Sequence, residues 1–497
     1  MQTSLTSRVQ SGVIWNTISV SSTYLLGLVR SVILARLLLA EDFGLFGMAL
    51  TVVTGLSALS SIGSEISIIN TKFKNDEELS THLDTIWTVD LIRRLILVLL
   101  MLVLARPAAR FYGEARVHEL LLVLSLLPLI QGFQNIGLMI YRKRVNFQKI
   151  VWLELVTNLL TAGATIVLVL WTRNVWALVL SQLVSALIAV ALSYVFHPYR
   201  PRPRLDRGSL RLALSFGKHA FILGLLGYVM IMADNILLGR LYSAVVLGTY
   251  VIAYNLAVLP LHGIANVIVN VTFPAYVEIS AGQVKRLERA FVRVFATSST
   301  LLAFTAALLL LLGQEIVVFL YGAKWAAAGT ILRILGVMVF CKGHATLVSP
   351  LLISMRGIAR DVRIKFLEAT IFLALLYPLT NRYGAVGAAS AGAAAFFIMM
   401  INRLRVASSL LPNISKTILR TVLSSVFACA LGVASATLMI PTLESVLGRL
   451  LVGGLVIAIV VSAVMLVLSP PLRLELWRVF SSLNSKRNAL ATVRQEH

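Results

Sequence analysis

The chain has 497 residues, 58% of them hydrophobic and only 13% charged, with a mean hydropathy of +0.89. A soluble domain carries roughly 25% charged residues, so a water-soluble enzyme of this length is excluded and most of the chain must lie in lipid. The excess of 44 Lys+Arg over 21 Asp+Glu sits between apolar runs, which points to membrane orientation rather than to nucleic acid.

A helix needs about 20 mostly apolar residues to cross the hydrocarbon layer. That test predicts about fourteen transmembrane helices. They lie near 13–37, 43–69, 83–105, 117–140, 149–171, 175–196, 213–238, 245–272, 291–313, 330–354, 364–380, 384–404, 416–439 and 447–468. The first run outlasts the ~7–15-residue core of a signal peptide, so it is read as a retained helix. The runs are long and rich in Leu and Ala, unlike the ~10-residue alternating segments of a barrel. The expected fold is an all-α polytopic membrane protein. Cys341 and Cys429 both lie inside apolar runs, so neither a disulfide framework nor a Cys/His metal site is expected.

The connections carry their basic residues unevenly. Counted alternately from the amino terminus, one set holds Arg8, then Lys72 and Lys74, then Arg142, Lys143, Arg144 and Lys149. It continues with the runs Arg200–Arg211, Lys285–Arg293, Arg356–Lys365, Arg403–Arg420 and Arg473–Arg494. The other set holds only Arg106, Arg110, Arg116, Arg173, Arg240, Lys324, Arg382 and Arg449. The positive-inside rule then predicts both termini in the cytoplasm and an even number of spans.

An internal repeat is present. Arg36-Leu37 with Phe43-Gly44-Leu45-Phe46 reappears as Arg240-Leu241 with Leu247-Gly248-Thr249-Tyr250, and Phe111-Tyr112-Gly113 reappears as Leu320-Tyr321-Gly322. The two copies are six helices apart and so share one orientation. This predicts two six-helix lobes in a parallel repeat around a central site, as in alternating-access transporters, plus two extra C-terminal helices. The expected organisation is an N-terminal lobe at 1–199, a basic cytoplasmic linker at 200–212, a C-terminal lobe at 213–412, and the last two helices with a tail at 413–497.

At these residues the sequence resembles the polysaccharide-transporter, or Wzx-type flippase, branch of the multidrug/oligosaccharidyl-lipid/polysaccharide (MOP) superfamily. The matching elements are Ala35-Arg36-Leu37-Leu38 with Glu41-Asp42-Phe43-Gly44-Leu45-Phe46, Arg142 and Phe147, Asp234 through Gly239-Arg240, Gly248-Thr249-Tyr250, and Phe273-Pro274-Ala275-Tyr276. Tyr321-Gly322-Ala323-Lys324-Trp325 resembles the branch's Phe-Gly-Glu-Lys-Trp element, with Ala323 in place of Glu. The resemblance spans roughly residues 10–410. It implies a bacterial inner-membrane carrier that flips an undecaprenyl-pyrophosphate-linked oligosaccharide repeat unit toward the periplasm for exopolysaccharide or O-antigen assembly. It also implies a polysaccharide polymerase and a chain-length regulator as partners, no nucleic acid, no bound cofactor, and coupling to a proton or sodium gradient. The sequence itself shows no coupling site.

Such cargo needs a cavity lined by positive charge and hydrogen-bond donors, because phosphate oxygens take charge-assisted bonds from Arg and Lys. A charge at mid-bilayer costs at least ~2.5–3.5 kcal/mol, so buried ones are functional candidates. Lys342, deep in the tenth span with His344 near it, leads; its rival reading is a static pair with a carboxylate. Arg30 follows, with interfacial snorkelling as its alternative. Arg94 is spaced to pair with Asp90, which leaves Arg93 as the freer charge. Lys218 and Arg333, nearer span edges, complete the substrate-binding set, and snorkelling is their stronger alternative. Arg36 and Arg240, equivalent in the repeat, read as anchors of helix ends.

The membrane carboxylates are Glu65, Asp84, Asp90, Glu154, Asp234 and Glu368. Asp234 and Glu368 are the candidates for ion coupling, against static pairing. Gln131, Gln134, Asn135, Asn158, Asn255, Asn266 and Asn270 suit sugar hydroxyls, or helix–helix bonding. Gly384, Gly387 and Gly392 read as close helix packing.

No P-loop, zincin motif or nucleophile elbow occurs in the sequence. The expectation is therefore a transporter and not an enzyme. Rival readings are a multidrug/cation antiporter, which would want an anionic cavity, a lipid II flippase of the same superfamily, and a membrane-integral glycosyltransferase or polymerase, which would normally carry a large external loop.

Overall fold

The computed structural model describes residues 22–60, 67–68, 71, 73–143, 147–267, 272–280, 283–355, 357–440 and 443–473. Among these residues all the regular elements are helical. The chain opens with α1 (22–37) and α2 (Ala40–Leu59). Next comes α3 (Asp76–Tyr112), which starts on Asn75, whose side chain accepts from the Glu78 N–H, with Asp76, Glu77 and Glu78 at the positive end of the dipole. It ends at Gly113, whose φ of 72° only glycine adopts without strain.

The expected span at 117–140 is broken into α4 (Arg116–Leu124), α5 (Leu126–Gly132) and α6 (Leu138–Lys143). Pro128 cannot donate to Leu124, so the helix loses a bond at that turn. Further on, the Asn135 side chain accepts from the Gly137 N–H at 2.9 Å, a local bond that competes with helix.

Then come α7 (Phe147–Thr172), α8 (Val175–Phe196), α9 (Arg207–Leu241) and α10 (Ala244–Val267). They are followed by α11 (Phe273–Ser280), α12 (Val284–Tyr321) and α13 (Ala326–Ser354). The chain closes with α14 (Ile358–Leu410), α15 (Ser415–Met439) and α16 (Val446–Leu468). The spans expected at 364–380 and 384–404 are the two arms of α14, which breaks at Gly384 (φ 58°, ψ −135°). Gly384 therefore makes a turn rather than the close helix packing its alanine-rich setting suggests. The close approach falls on Gly387, where a Cβ would stand 1.9 Å from the Leu379 carbonyl oxygen.

Among the described residues, ten helices are long and apolar enough to cross a membrane, with α14 counted as one. The expected spans at 13–37, 83–105 and 117–140 are not in that set: α1 is described only from residue 22, α3 carries Asp90, Arg93 and Arg94, and the third is broken.

The chain forms two compact units. The first holds residues 1–255, 320–328 and 365–391, the second 256–319, 329–364 and 392–497. In the first, α2 packs against α3, α4 and α9, and α7 against α8. The repeat is visible there in its contacts. A Cβ on Gly44 would lie 1.8 Å from the Ala244 carbonyl oxygen, and a Cβ on Gly248 1.8 Å from that of Ala40. Residues 40 and 244, like 44 and 248, are repeat equivalents, so the starts of α2 and α10 touch reciprocally, as across a two-fold axis. Gly113 and Gly322, also equivalent, both have positive φ, 72° and 99°. In the second unit α15 packs along α16, and Gly453 brings α16 against Leu312 of α12.

Candidate functional site

The intramembrane charges fall into distinct settings. In the first unit, Asp90 on α3 binds two arginines: Arg93 at 2.5 Å and Arg94 at 2.7 Å. Arg93 also donates to Ser60 Oγ at 2.7 Å, and Arg94 to Gln131 Oε1 at 2.9 Å. The expectation that Arg93 is the freer charge is thus corrected, since one carboxylate with two oxygens serves both guanidinium groups. Arg30, on α1, is partly buried and makes no hydrogen bond or ion pair among the described residues. Asp234 on α9 is 4% exposed. Its Oδ2 accepts from the Tyr250 hydroxyl at 2.6 Å and its Oδ1 from the Asn235 N–H at 2.8 Å. Glu368, on the first arm of α14, is buried in the same unit.

In the second unit, Lys342 on α13 places its ammonium 5.1 Å from the centre of the Phe396 ring, a cation–π contact. His262 of α10 lies within its electrostatic reach. His344, two residues on, is fully occupied elsewhere: its Nδ1 donates to the Phe340 carbonyl at 2.9 Å and its Nε2 is 3.0 Å from Ser299 Oγ. Arg333 approaches Glu315 to 3.8 Å, so the snorkelling expected of it is joined by an ion pair. The Lys218 side chain, Glu65, Asn270 and the Asn266 side chain lie outside the described residues. The structure therefore places Arg30, Arg93, Asp234 and Glu368 in one unit and Arg333 and Lys342 in the other.

The helix ends carry a second constellation, within the first unit. Arg36 Nε donates to the Leu320 carbonyl at 2.9 Å, Lys324 Nζ to the carbonyls of Arg36 and Leu38, and Trp325 Nε1 to that of Ala35 at 2.8 Å. The last carbonyls of α1, which a helix end leaves without partners, are thus capped by the Lys-Trp element. The Trp325 ring meets Phe43 edge-on at 5.5 Å between centroids.

A family model described as "Polysaccharide biosynthesis protein" matches residues 33–330, which includes these helix ends, the Asp90 node and Asp234. The chain belongs to this polysaccharide biosynthesis protein family. The succinoglycan biosynthesis transport protein ExoT of Rhizobium meliloti (strain 1021) is 26% identical over 70% of this chain and 68% of its own length. The lipopolysaccharide biosynthesis protein WzxC of Escherichia coli (strain K12) is 24% identical over 77% of each. Among solved structures, the lipid II flippase MurJ, in an inward closed conformation, aligns with a TM-score of 0.71 at 16% identity over 91% of this chain and 99% of that one. A multidrug resistance MATE family transporter of the MOP superfamily aligns at 0.63, also at 16% identity, over 80% and 96%. This polysaccharide biosynthesis protein therefore has the fold of that superfamily.

Two polar pairs in it, the first of them buried, escape sequence reasoning. Asp361 and Arg403, each 4% exposed, pair at 3.0 Å, with Ser349 accepting from the same guanidinium. Glu288 accepts from the Asn413 side chain at 3.0 Å. The signal for the first pair is the Gly384 break: a chain that folds back there brings 361 and 403, nearly equidistant from it, onto facing arms.

Outside the spans, the Asp206 carboxylate accepts the Ser209 N–H at 2.7 Å, which holds its pKa below the usual 3.8. Burial pulls the Lys143 ammonium below its ordinary value; it lies over the Phe73 ring and donates to the Ile68 and Thr71 carbonyls.

Proposed function

We propose that this protein flips a lipid-linked oligosaccharide, an undecaprenyl-pyrophosphate-linked repeat unit, from the cytoplasmic to the periplasmic leaflet by alternating access. The observation that carries the reading is the family match together with relatives that span about two thirds or more of the chain and are named for succinoglycan biosynthesis transport and lipopolysaccharide biosynthesis. The intramembrane cations support it physically, since a pyrophosphate crossing hydrocarbon must exchange water for fixed positive charge. Lys342 and Arg30 are the residues assigned to that cargo, with Lys218 and Arg333 nearer the membrane edges. Arg93 belongs to this set through the shared Asp90 node. Asp234 and Glu368 are assigned to coupling with a proton or sodium gradient, being carboxylates buried in apolar helices. The site of action is the bacterial inner membrane with both termini in the cytoplasm, as the basic loops favour. A polymerase and a chain-length regulator would take the product onward.

The test is deletion of the encoding gene in its host, with two measurements taken together: surface polymer, and lipid-linked repeat units on the cytoplasmic leaflet. Lost polymer with fully built repeat units retained inside is the expected result. Unchanged polymer with new sensitivity to cationic drugs would overturn it in favour of an antiporter.

A further inference from the structure

The segment joining α8 to α9, His197–Asp206, connects two apolar helices and lies flat along α3. Its sequence alternates proline with arginine: Pro201-Arg202-Pro203-Arg204. Proline has no N–H, and it pushes the residue before it into extended backbone. The alternate residues supply the bonds. Arg202 N–H donates to Asp84 Oδ1 at 3.0 Å, Arg204 N–H to Thr88 Oγ1 at 2.9 Å, and Asp206 N–H to Thr85 Oγ1 at 3.1 Å. The acceptors Asp84, Thr85 and Thr88 lie on one face of α3. Each threonine hydroxyl gives its own proton back into the helix, Thr85 to Thr81 and Thr88 to Asp84, which leaves its oxygen free to accept.

Upstream, the Tyr199 hydroxyl donates to Asp84 Oδ1 at 2.6 Å, and Asn135 Nδ2 to the Tyr199 carbonyl at 2.7 Å and that of His197 at 3.1 Å. The segment is a strap whose backbone is fastened, so only its side chains remain to be ordered when they bind. Arg202, Arg204, Arg207 and Arg211 stand exposed along it and the start of α9. None of the four has a carboxylate partner within ion-pair distance among the described residues. Between them Leu205 is 63% exposed. A row of four cations around one exposed leucine, between the ends of two lipid-embedded helices, matches a layer of phosphates above a layer of hydrocarbon.

We propose that this strap is a docking surface for anionic phospholipid head groups, with the four arginines on the phosphates and Leu205 in the interface. This goes beyond export, because the contact is with the bulk leaflet and does not require cargo.

The test uses the full-length protein in detergent, titrated with phosphatidylglycerol or phosphatidylcholine, with bound lipids counted by native mass spectrometry. Wild type is expected to bind phosphatidylglycerol in preference to phosphatidylcholine. The variant R202Q/R204Q/R207Q/R211Q is expected to lose that preference, by about fivefold per arginine removed, with unchanged melting temperature and phosphatidylcholine binding. K285Q/R286Q/R289Q removes charge from the exposed start of α12 and should leave the preference nearly intact. An equal loss per charge there would reduce the effect to general charge and overturn the proposal. T85V/T88V keeps every arginine but releases the strap, and a severalfold loss is expected; full retention would show that the fastening plays no part. Titration with undecaprenyl pyrophosphate separates the other source of phosphate. If that lipid alone binds wild type and the quadruple variant loses only it, the surface belongs to the cargo and the phospholipid assignment fails.

Discussion

Arg30 and Asp234 occupy the same place in the two copies of the repeat, 204 residues apart like Arg36 and Arg240, yet they carry opposite charges. The comparison shows how a duplicated position becomes two different things. Asp234 is buried and bonded by the Tyr250 hydroxyl; the equivalent of Tyr250 in the first copy is Phe46, which has no hydroxyl to offer. Arg30 is only partly buried and makes no ion pair among the described residues. The second copy has thus built a satisfied polar pair into its helix packing, while the first keeps the partly buried cation proposed above as a cargo contact. Intramembrane charge alone does not mark a binding residue; the partner it is given decides.

The largest effect is expected where the two copies touch. Gly44→Val or Gly248→Val would drive a side chain into a carbonyl oxygen that already stands 1.8 Å from where a Cβ would lie. Either should remove folded protein from the membrane, read as loss of the monodisperse peak of a fluorescent fusion. Next, Arg30→Ala and Lys342→Ala should each cut polymer export at least about tenfold, as expected when one charge-assisted contact to phosphate is lost, with protein abundance unchanged. Normal export in both would sink their assignment to the cargo path. Asp234→Asn keeps an acceptor for Tyr250, so abundance should hold while export loses its response to an imposed ion gradient.

A smaller effect sharpens the contrast directly. Tyr250→Phe gives the second copy the residue of the first and leaves Asp234 short of a donor. The expected cost is about 1.5–3 kcal/mol, seen as a lower melting temperature, whereas Phe46→Tyr has no facing carboxylate to gain. The smallest effect belongs to the strap. The folded pKa of Asp206 is depressed below 3.8, so its capping contribution is full above that value and fades as pH falls through the folded pKa. The melting-temperature difference between wild type and Asp206→Asn should therefore close as the pH is lowered past about 4, and stay constant above 5.

Much of the helical plan was legible because apolar runs report membrane spans with little interference from tertiary context. The run at 175–196 coincides with α8. Breaks were harder: hydropathy averages over single residues and so hid the interruption at 117–140 despite Pro128, whereas the turn inside α14 falls where the expected runs 364–380 and 384–404 meet, at Gly384. The site was legible only as far as local spacing reaches. Asp90 with Arg94 follows from helix geometry, but that Arg93 shares the same carboxylate depends on its rotamer. The Asp234–Tyr250 and Asp361–Arg403 pairs need the helices folded back on each other, and the strap's grip on α3 joins residues more than a hundred positions apart. None of these has a local signature.

The reciprocal contact of Gly44 with Ala244 and of Gly248 with Ala40 has a consequence for how such a chain can change over time. After a duplication the two halves are free to drift independently, as Arg30 and Asp234 did. Where the halves press on each other, that freedom ends. A larger residue accepted at one glycine moves the backbone its mate depends on, so a change at any of these four positions constrains the other three.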